Sequence, residues 1–557
     1  MESRRFTVDV ALFLLVVFAY GYFHGGGSAN QNTRFDAIFA FVEPGTAEEG
    51  TFRIDQFMRD ENGRLQEPPP TSFNTCDWSW YPPGGKANPT PQTGERQGHY
   101  YSNKAPGTIL LGTISYFLLY RVERLLGIDP YDASTTEKNL YLINLFVSVV
   151  IGALGIVIFR RILLVLGTGE PQALFLTLVL AFATTLFPYS IQMWGHTTAA
   201  AFSTMALYAI IHRSPRHLAL SGFLVGMAAV TDYLGCIMAV IYGIYLASSQ
   251  FRRVPWFVLG GSLPLVVLMA YHQACFDSPF TSAINYTLGV FRDDDRLWGV
   301  FGPISVEHAV AILLSRYRGV LVHMPILLLS LPGLVFWLRR NRRDRIAWLC
   351  LVSMGVFILM NASFNGWAGG ASVCARYQIL TLPFWVLCLK EVPWSRVWKP
   401  AMFLAAGLSA FNMLAVAAVS PIYPNLKVEN DWRGSSPQYY NPLWVPEDEK
   451  PLGELHSEVD RARTKTPSVL YDSLYAWTYE RFLDGRLAAE DLRWLFYLRI
   501  HSVSHWRPTN LGIVLGFTGL ASLIPLVLVL IPSLLGLFWL TGSSPITKIL
   551  EKKHYSK

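Results

Sequence analysis

Residues 98–107 read GHYYSNKAPG and are rich in groups that bind anions. His99, Tyr101 and Lys104 offer an imidazole, a phenol hydroxyl and an ammonium group as hydrogen-bond donors. Pro106 is typical of the first turn of a helix, where unpaired backbone N–H groups favour a negative charge. The stretch is therefore predicted to hold a phosphate at a membrane surface. The alternative is an amphipathic linker whose Lys104 faces lipid headgroups.

Three aspartates that precede this stretch are candidates for a general base. Asp36 follows Arg34 in the segment 31–45, whose apolar residues recur at helical spacing. Asp55 and Asp77 lie farther along the same polar region. A carboxylate at a water boundary can accept the proton of an acceptor hydroxyl, although caps and loop ion pairs are the usual roles of loop aspartates. Asp36 is the first choice because it shares a helix with Arg34, and Asp77 is the second.

Four more residues lie where apolar segments end. His196 and Asp232 are each at such an end, where an ionisable side chain is either a functional candidate or a simple cap. The glycine-rich turn 364–377 contains Trp367, whose ring could face a sugar or a prenyl chain, and Arg376, whose guanidinium could hold a phosphate through two hydrogen bonds. The alternative for the last two is an interfacial anchor.

Two features are interpreted without chemistry. The acidic run 293–295 is typical of a solvated charge run. The six cysteines are scattered and show no metal-ligand or disulfide spacing. No metal site is therefore predicted.

The composition predicts a polytopic membrane protein. The 557 residues are 52% hydrophobic and 15% charged, and the mean hydropathy is +0.31. Apolar runs long enough to span a bilayer recur along the chain. The net charge of +7 comes from basic residues beside these runs, as sorting of positive residues to the cytoplasm requires. The expected partners are membrane lipids and not nucleic acid.

Positively charged turns set the predicted topology. The segment 339–345 is the most basic in the sequence and is assigned to the cytoplasm. Arg160 and Arg161 are assigned to the same side, and both ends of the segment 106–127 then lie outside. We therefore predict about twelve transmembrane helices and a juxtamembrane helix at 106–127. A thirteenth span is the alternative, and it would place the two arginines outside.

The predicted fold class is an all-α polytopic membrane protein. Its predicted parts are a first transmembrane helix (1–23), an outer catalytic loop with juxtamembrane helices (24–138), a transmembrane helical core (139–420), an outer C-terminal region (421–510), and a last transmembrane helix with a cytoplasmic tail (511–557).

The order of these motifs resembles the membrane glycosyltransferases of the GT-C fold. An outer helix with Arg34 and Asp36, then YSNKAPG at 101–107, then a juxtamembrane helix is similar to the bacterial group around protein O-mannosyltransferases and the lipid A aminoarabinose transferase. GWAGG at 366–370 and RGVLVHMP at 318–325 also resemble that group.

The resemblance implies a sugar donor linked to polyprenyl phosphate and inversion at the anomeric carbon. Lys104 and Arg34 match the residues that hold the lipid phosphate in that family. Gln31 stands where the family has its catalytic aspartate. Asp36, Asp77 or Asp55 must therefore take the role of base, unless the activity is altered.

The expected function is transfer of a sugar from a polyprenyl-phosphate donor to a hydroxyl or amine of a glycan, lipid or protein acceptor. Lys104, Arg34, Arg376 and Tyr101 would hold the lipid phosphate. The substrate pocket would be lined by His99, His196, Asp232 and Trp367. No cofactor or metal is expected, because a phosphate paired with cations is a good leaving group.

The expected location is a bacterial inner membrane, with the site facing the periplasm or the exterior. A flippase that moves the intact lipid-linked sugar is the alternative, and a scaffold protein is the third reading.

Overall fold

The computed structural model describes most of the chain, and helices dominate the described part. The described residues are 2–25, 28–45, 48–58, 75, 77–82, 98–287, 295–315, 318–369, 372–419, 509–517 and 519–542. Most of the predicted outer C-terminal region, the tail from residue 543, and Asp293 and Asp294 of the acidic run lie outside the described residues.

The helices up to the middle of the chain are α1 (Glu2–Gly21), α2 (Ala29–Val42), α3 (Gly107–Leu125), α4 (Ala133–Asn144), α5 (Ile151–Val165), α6 (Glu170–Phe182), α7 (Leu186–Ser190), α8 (His196–His212), α9 (Pro215–Thr231), α10 (Gly235–Gln250) and α11 (Val254–Phe276). The helices that follow are α12 (Val306–Leu314), α13 (Val320–His323), α14 (Ser330–Arg340), α15 (Arg345–Ser363), α16 (Leu382–Cys388), α17 (Trp398–Val419), α18 (Leu511–Val514) and α19 (Ile524–Leu540).

Five helical stretches in the described residues are long and apolar enough to cross a membrane. They are Ser134–Val165, Gly235–Phe276, Arg345–Ser363, Trp398–Ala418 and Ala521–Leu540. The structure therefore does not show the predicted twelve spans. Some apolar runs that the sequence counts as spans form shorter helices: α6 has 13 residues, and α8 and α9 have 17 each. The apolar runs at Pro325 and Pro383 are divided between short 3-10 and α segments.

Two short antiparallel strand pairs qualify the all-α prediction. β1 (Phe23–His24) pairs with β4 (Thr509–Asn510), and β2 (Trp78–Tyr81) pairs with β3 (His99–Ser102). The second pair consists largely of aromatic residues, which favour strands.

Helices α9 and α11 pack backbone to backbone in the bundle. A Cβ added to Gly222 would lie 1.8 Å from the Phe257 carbonyl oxygen, and one added to Gly260 would lie 1.8 Å from the Ala219 carbonyl oxygen. Small residues at such a crossing let helices approach closely, as they do in membrane interfaces. Since α9 ends one residue before Asp232, this contact fixes where that carboxylate lies.

Buried ion pairs mark one end of the bundle. Arg160 is 1% exposed; its Nη1 lies 2.6 Å from Asp9 Oδ1, and its Nη2 bonds Glu170. Arg161 Nε lies 2.9 Å from the other oxygen of Asp9, and Arg5 Nε lies 2.7 Å from Glu170. The start of α1, the end of α5 and the start of α6 therefore meet at one end, the side that the sequence assigned to the cytoplasm.

Helix α3 lies at the opposite end. Tyr141 donates to the carbonyl of Gly21 at the far end of α1, 2.7 Å away. Asn139, one half-turn earlier in α4, donates to Glu123 near the end of α3, 3.2 Å away. The start of α3 is held there too, because Thr108 accepts a hydrogen bond from Arg34 in α2. Both ends of α3 thus lie on the side away from Arg160, as the juxtamembrane prediction requires.

Thiol labelling tests this arrangement. Single cysteines at Asp129 and Arg252, in a chain without its native cysteines, should react with a membrane-impermeant maleimide from opposite sides of the membrane. Both positions are exposed, so reactivity reports the side and not burial. Asp129→Cys should label in intact cells and Arg252→Cys only after permeabilisation. Labelling of Asp129→Cys only after permeabilisation would make α3 a true span.

Candidate functional site

The register of β2 and β3 brings Asp77 to Lys104. Trp78 pairs with Ser102, and the pairing continues one residue further, where the Asn103 N–H donates to the Asp77 carbonyl at 3.3 Å. Asp77 directly precedes β2 and Lys104 closely follows β3, and their Oδ1 and Nζ atoms lie 2.7 Å apart. The side chains are only 12% and 20% exposed. Burial lowers the pKa of Lys104, and the carboxylate of Asp77 opposes that shift.

Arg34 joins three parts of the chain at the same end. Its Nε donates to Thr108 Oγ1 at 2.9 Å, its Nη1 donates to the carbonyl and side-chain oxygens of Asn30, and its Nη2 donates to the Trp194 carbonyl at 3.1 Å. The side chain is buried. Most N–H donors of this guanidinium are thus hydrogen-bonded within the protein, and few remain to bind a ligand. Its charge remains available to the site.

Three cations and two carboxylates act on one another here. Burial lowers the pKa of Arg34 to about 10, while Asp77 and Asp232 oppose the shift and Arg376 reinforces it. The same charges act on the pKa of Lys104: Asp77 raises it, and Arg376 and Arg34 lower it. With three cations against two carboxylates, the group carries a net charge of +1. An anion is the ligand that would complete its charge balance.

Arg376 has the donors that Arg34 lacks. Its guanidinium carbon lies 5.1 Å from the Trp194 ring centre and 5.2 Å from the Tyr377 ring centre, and its Nη2 donates to the Tyr377 hydroxyl at 3.3 Å. Its Nε is buried and has no hydrogen-bond partner among the described residues. Gly369, at φ +73°, packs against the stem of Arg376. The glycine turn thus positions this arginine, whose fork fits a phosphate.

His196 and Asp232 form a buried pair beside the cations. His196 Nδ1 is hydrogen-bonded to Asp232 Oδ2, and Asp232 Oδ1 accepts from the Leu234 N–H at 3.1 Å. Tyr377 and Tyr189 present their rings to the imidazole at 6.1 Å and 6.3 Å between centroids. The pair joins the start of α8 to the end of α9.

Gly195 makes this junction sterically possible. It has φ +83°, and a Cβ added to it would lie 2.7 Å from the Thr231 carbonyl oxygen. Gly195→Ala should cost roughly 1–3 kcal/mol in backbone strain, besides the overlap, and should displace the neighbouring Trp194 carbonyl from Arg34. We expect a lower melting temperature together with loss of ligand binding.

Gly355→Ala is the matched control, because nothing lies within 4 Å of a Cβ added there in α15. It should leave the protein unchanged or slightly more stable, since alanine favours helix. Equal melting temperatures for the two variants would contradict this account of Gly195.

Asp36 and Asp55 are the other two aspartates that the sequence offers as bases. Asp36 is two residues beyond Arg34 on α2, so the two side chains leave the helix about 200° apart. Asp36 is fully buried. Asp55 instead bonds His99 Nδ1 and the Tyr100 N–H, both at 2.7 Å. Asp55 and His99 thus fasten β3 to the segment before it.

Tyr101 and Trp367 also have other neighbours. Tyr101 packs against Phe276 at the end of α11, 5.4 Å between ring centres, and burial raises its pKa to about 12. Trp367 stacks on His308, with ring centres 4.6 Å apart and planes 17° from parallel.

The structure therefore brings together six of the residues that the sequence singled out. They are Arg34, Asp77, Lys104, His196, Asp232 and Arg376. Sequence reasoning missed the residues that orient them: Thr108, Trp194, Gly195 and Tyr377. The available signal was the Trp-Gly-His run before an apolar helix. Within the described residues no three metal-binding side chains cluster.

No protein-family model and no curated protein sequence matches the chain. Among solved structures, the chain is similar to the oligosaccharyltransferase of Archaeoglobus fulgidus in its apo form, with a TM-score of 0.41 and 12% sequence identity. The match covers 75% of this chain and 55% of the archaeal chain. This chain therefore spans about half the length of that enzyme.

Proposed function

We propose that this protein is an integral membrane glycosyltransferase of the GT-C type. It would move a sugar from a polyprenyl-phosphate donor to a hydroxyl or amine of a glycan, lipid or protein. The observation that supports this proposal most strongly is that Lys104, Arg34 and Arg376 act on one another in one polar site. This site lies at the end of the bundle opposite Arg160. The sequence resemblance of residues 1–390 supports the same reading.

The three cations have different tasks in this proposal. Arg376 offers an open fork and binds two oxygens of the lipid phosphate. Lys104 supplies a compact charge that Asp77 holds in place. Arg34 contributes charge while it fixes the backbone around Trp194. When the bond from the anomeric carbon to the phosphate breaks, negative charge grows on the phosphate, and these fixed cations stabilise it.

Asp77 is the loop aspartate that belongs to the site. Its carboxylate pairs with Lys104, and its charge acts on Arg34. Its carboxylate is therefore either the proton acceptor or the group that keeps Lys104 oriented. We place the site at the periplasmic or outer face of a bacterial inner membrane, where a lipid-linked donor replaces a soluble nucleotide sugar.

Proteoliposomes with the full-length protein test this function. They are supplied with a panel of tritium-labelled polyprenyl-phosphate sugars that includes mannose and aminoarabinose, and with a membrane extract as the source of acceptors. Thin-layer chromatography then measures the release of free polyprenyl phosphate. A transferase cleaves at least one donor. Movement of every donor between leaflets without cleavage would instead identify a flippase and contradict the proposal.

A further inference from the structure

The pair of His196 and Asp232 has the geometry of an oriented general base. Asp232 bonds Nδ1 of the ring, and its second oxygen is fixed by the Leu234 N–H. With Nδ1 as the N–H donor, Nε2 carries the lone pair of the neutral imidazole. A carboxylate that holds a histidine in this way sets its tautomer and stabilises the imidazolium that forms when it takes a proton.

Nε2 of His196 has no hydrogen-bond partner among the described residues, although the residue is only 6% exposed. Two neighbours share this condition: the Thr231 hydroxyl, next in sequence to Asp232, and Nε of Arg376. Buried polar atoms are normally hydrogen-bonded, and exceptions mark sites that a ligand or water completes. Of these three atoms, those of His196 and Arg376 belong to side chains whose charges act on one another, and Arg34 acts on His196 as well.

We propose that His196, oriented by Asp232, accepts the proton of the incoming acceptor, and that Asp77 positions Lys104 instead of serving as the base. This inference rests on the proposed glycosyl transfer. Oδ1 of Asp77 is paired with the Lys104 ammonium, which makes this carboxylate a weaker base, whereas Nε2 of His196 has no partner in the described part of the chain.

The step balances without a cofactor. The acceptor O–H or N–H gives its proton to His196 Nε2, and its electron pair forms the new bond to the anomeric carbon. The bond from that carbon to the phosphate oxygen breaks, and the phosphate keeps those electrons beside Lys104 and Arg376. The imidazolium, paired with Asp232, later returns its proton to water.

The charge environment keeps the ring neutral near pH 7. Burial lowers the pKa of His196, Asp232 opposes that shift, and Arg376 and Arg34 reinforce it. The other groups that face the ring are the phenols of Tyr189 and Tyr377. A base works only when unprotonated, so the transfer rate should rise with pH along an acidic limb whose midpoint lies below about 6.5, the ordinary histidine pKa.

His196→Asn is the decisive variant, because its side-chain amide can still donate to Asp232 but has no basic nitrogen at the Nε2 position. We expect kcat to fall by roughly 10²–10⁴ and the acidic limb of the pH profile to vanish. Calorimetric binding of farnesyl phosphate should stay within about twofold, since the phosphate contacts are intact. Asp77→Asn should retain the acidic limb. Asp129→Asn, a surface change in the loop after α3, should match the wild type in both.

Near-normal turnover by His196→Asn would overturn the assignment of the base, as would loss of the acidic limb in Asp77→Asn. Loss of farnesyl phosphate binding by His196→Asn would show a structural role and would also overturn it. A wild-type protein that cleaves no donor in the panel would instead refute the glycosyl transfer, and the assignment with it.

Discussion

Replacing Lys104 by alanine should reduce glycosyl transfer by roughly 10²–10³, the usual loss when one preorganised charge-stabilising group is removed. Lys104 is the compact cation of the site, and it is largely shielded from water. Its attraction for the departing phosphate grows as the bond breaks, so the loss should appear in kcat. Release of polyprenyl phosphate in single-turnover experiments measures it directly.

Asp77 provides the control for Lys104. Without the lysine its carboxylate is mostly buried and unpaired, which destabilises the fold independently of catalysis. The double variant Lys104→Ala with Asp77→Asn removes that charge and should recover most of the melting temperature but none of the transfer. Recovery of transfer in the double variant would mean that the lysine serves folding only.

Arg376→Lys should lower kcat/KM by roughly 10–100-fold, because lysine keeps the charge but loses the planar fork and its stacking. A lysine would lose the contacts of Arg376 with the rings of Trp194 and Tyr377 and with the Tyr377 hydroxyl, and these contacts are a small part of the fold. The melting temperature should therefore change little, while farnesyl phosphate binding weakens. Titration calorimetry and thermal unfolding separate the two effects.

Arg34→Lys is the matched comparison and should show the reverse pattern. A lysine cannot serve Asn30, Thr108 and the Trp194 carbonyl together, and each buried partner left unsatisfied costs about 1–3 kcal/mol. We expect a clear fall in the melting temperature of this variant. If both arginine variants lose binding and stability in the same proportion, the division of roles between Arg34 and Arg376 is wrong.

Sequence reasoning singled out the three cations and the His196 and Asp232 positions, and it predicted which turns lie on which side of the membrane. It could do so because basic residues in turns report the side of the membrane, and ionisable residues at helix ends are rare enough to stand out. It ranked Asp36 above Asp77 because it treated proximity in sequence to Arg34 as proximity in space. On a helix, residues two apart point in opposite directions, so that ranking has no geometric support.

The pairing of Asp77 with Lys104 was beyond sequence reasoning. It depends on the register of β2 and β3, and the side-chain pattern of two short aromatic strands does not specify which residues pair. The number of long membrane-spanning helices was difficult to predict from the sequence for a related reason. Hydropathy detects apolar runs, but prolines and polar turns decide whether a run forms one long helix or several short pieces.

The buried ion pair between Arg160 and Asp9 bears on the order in which the helices can assemble. Helix α1 is not among the five stretches that are apolar enough to cross a membrane on their own, and it carries Asp9 between apolar neighbours. A charged side chain near a membrane is stabilised when it pairs with an opposite charge. The partner of Asp9, Arg160, lies 151 residues later in the chain. The first helix therefore gains its buried ion pair only after the ribosome has synthesised the chain through α5.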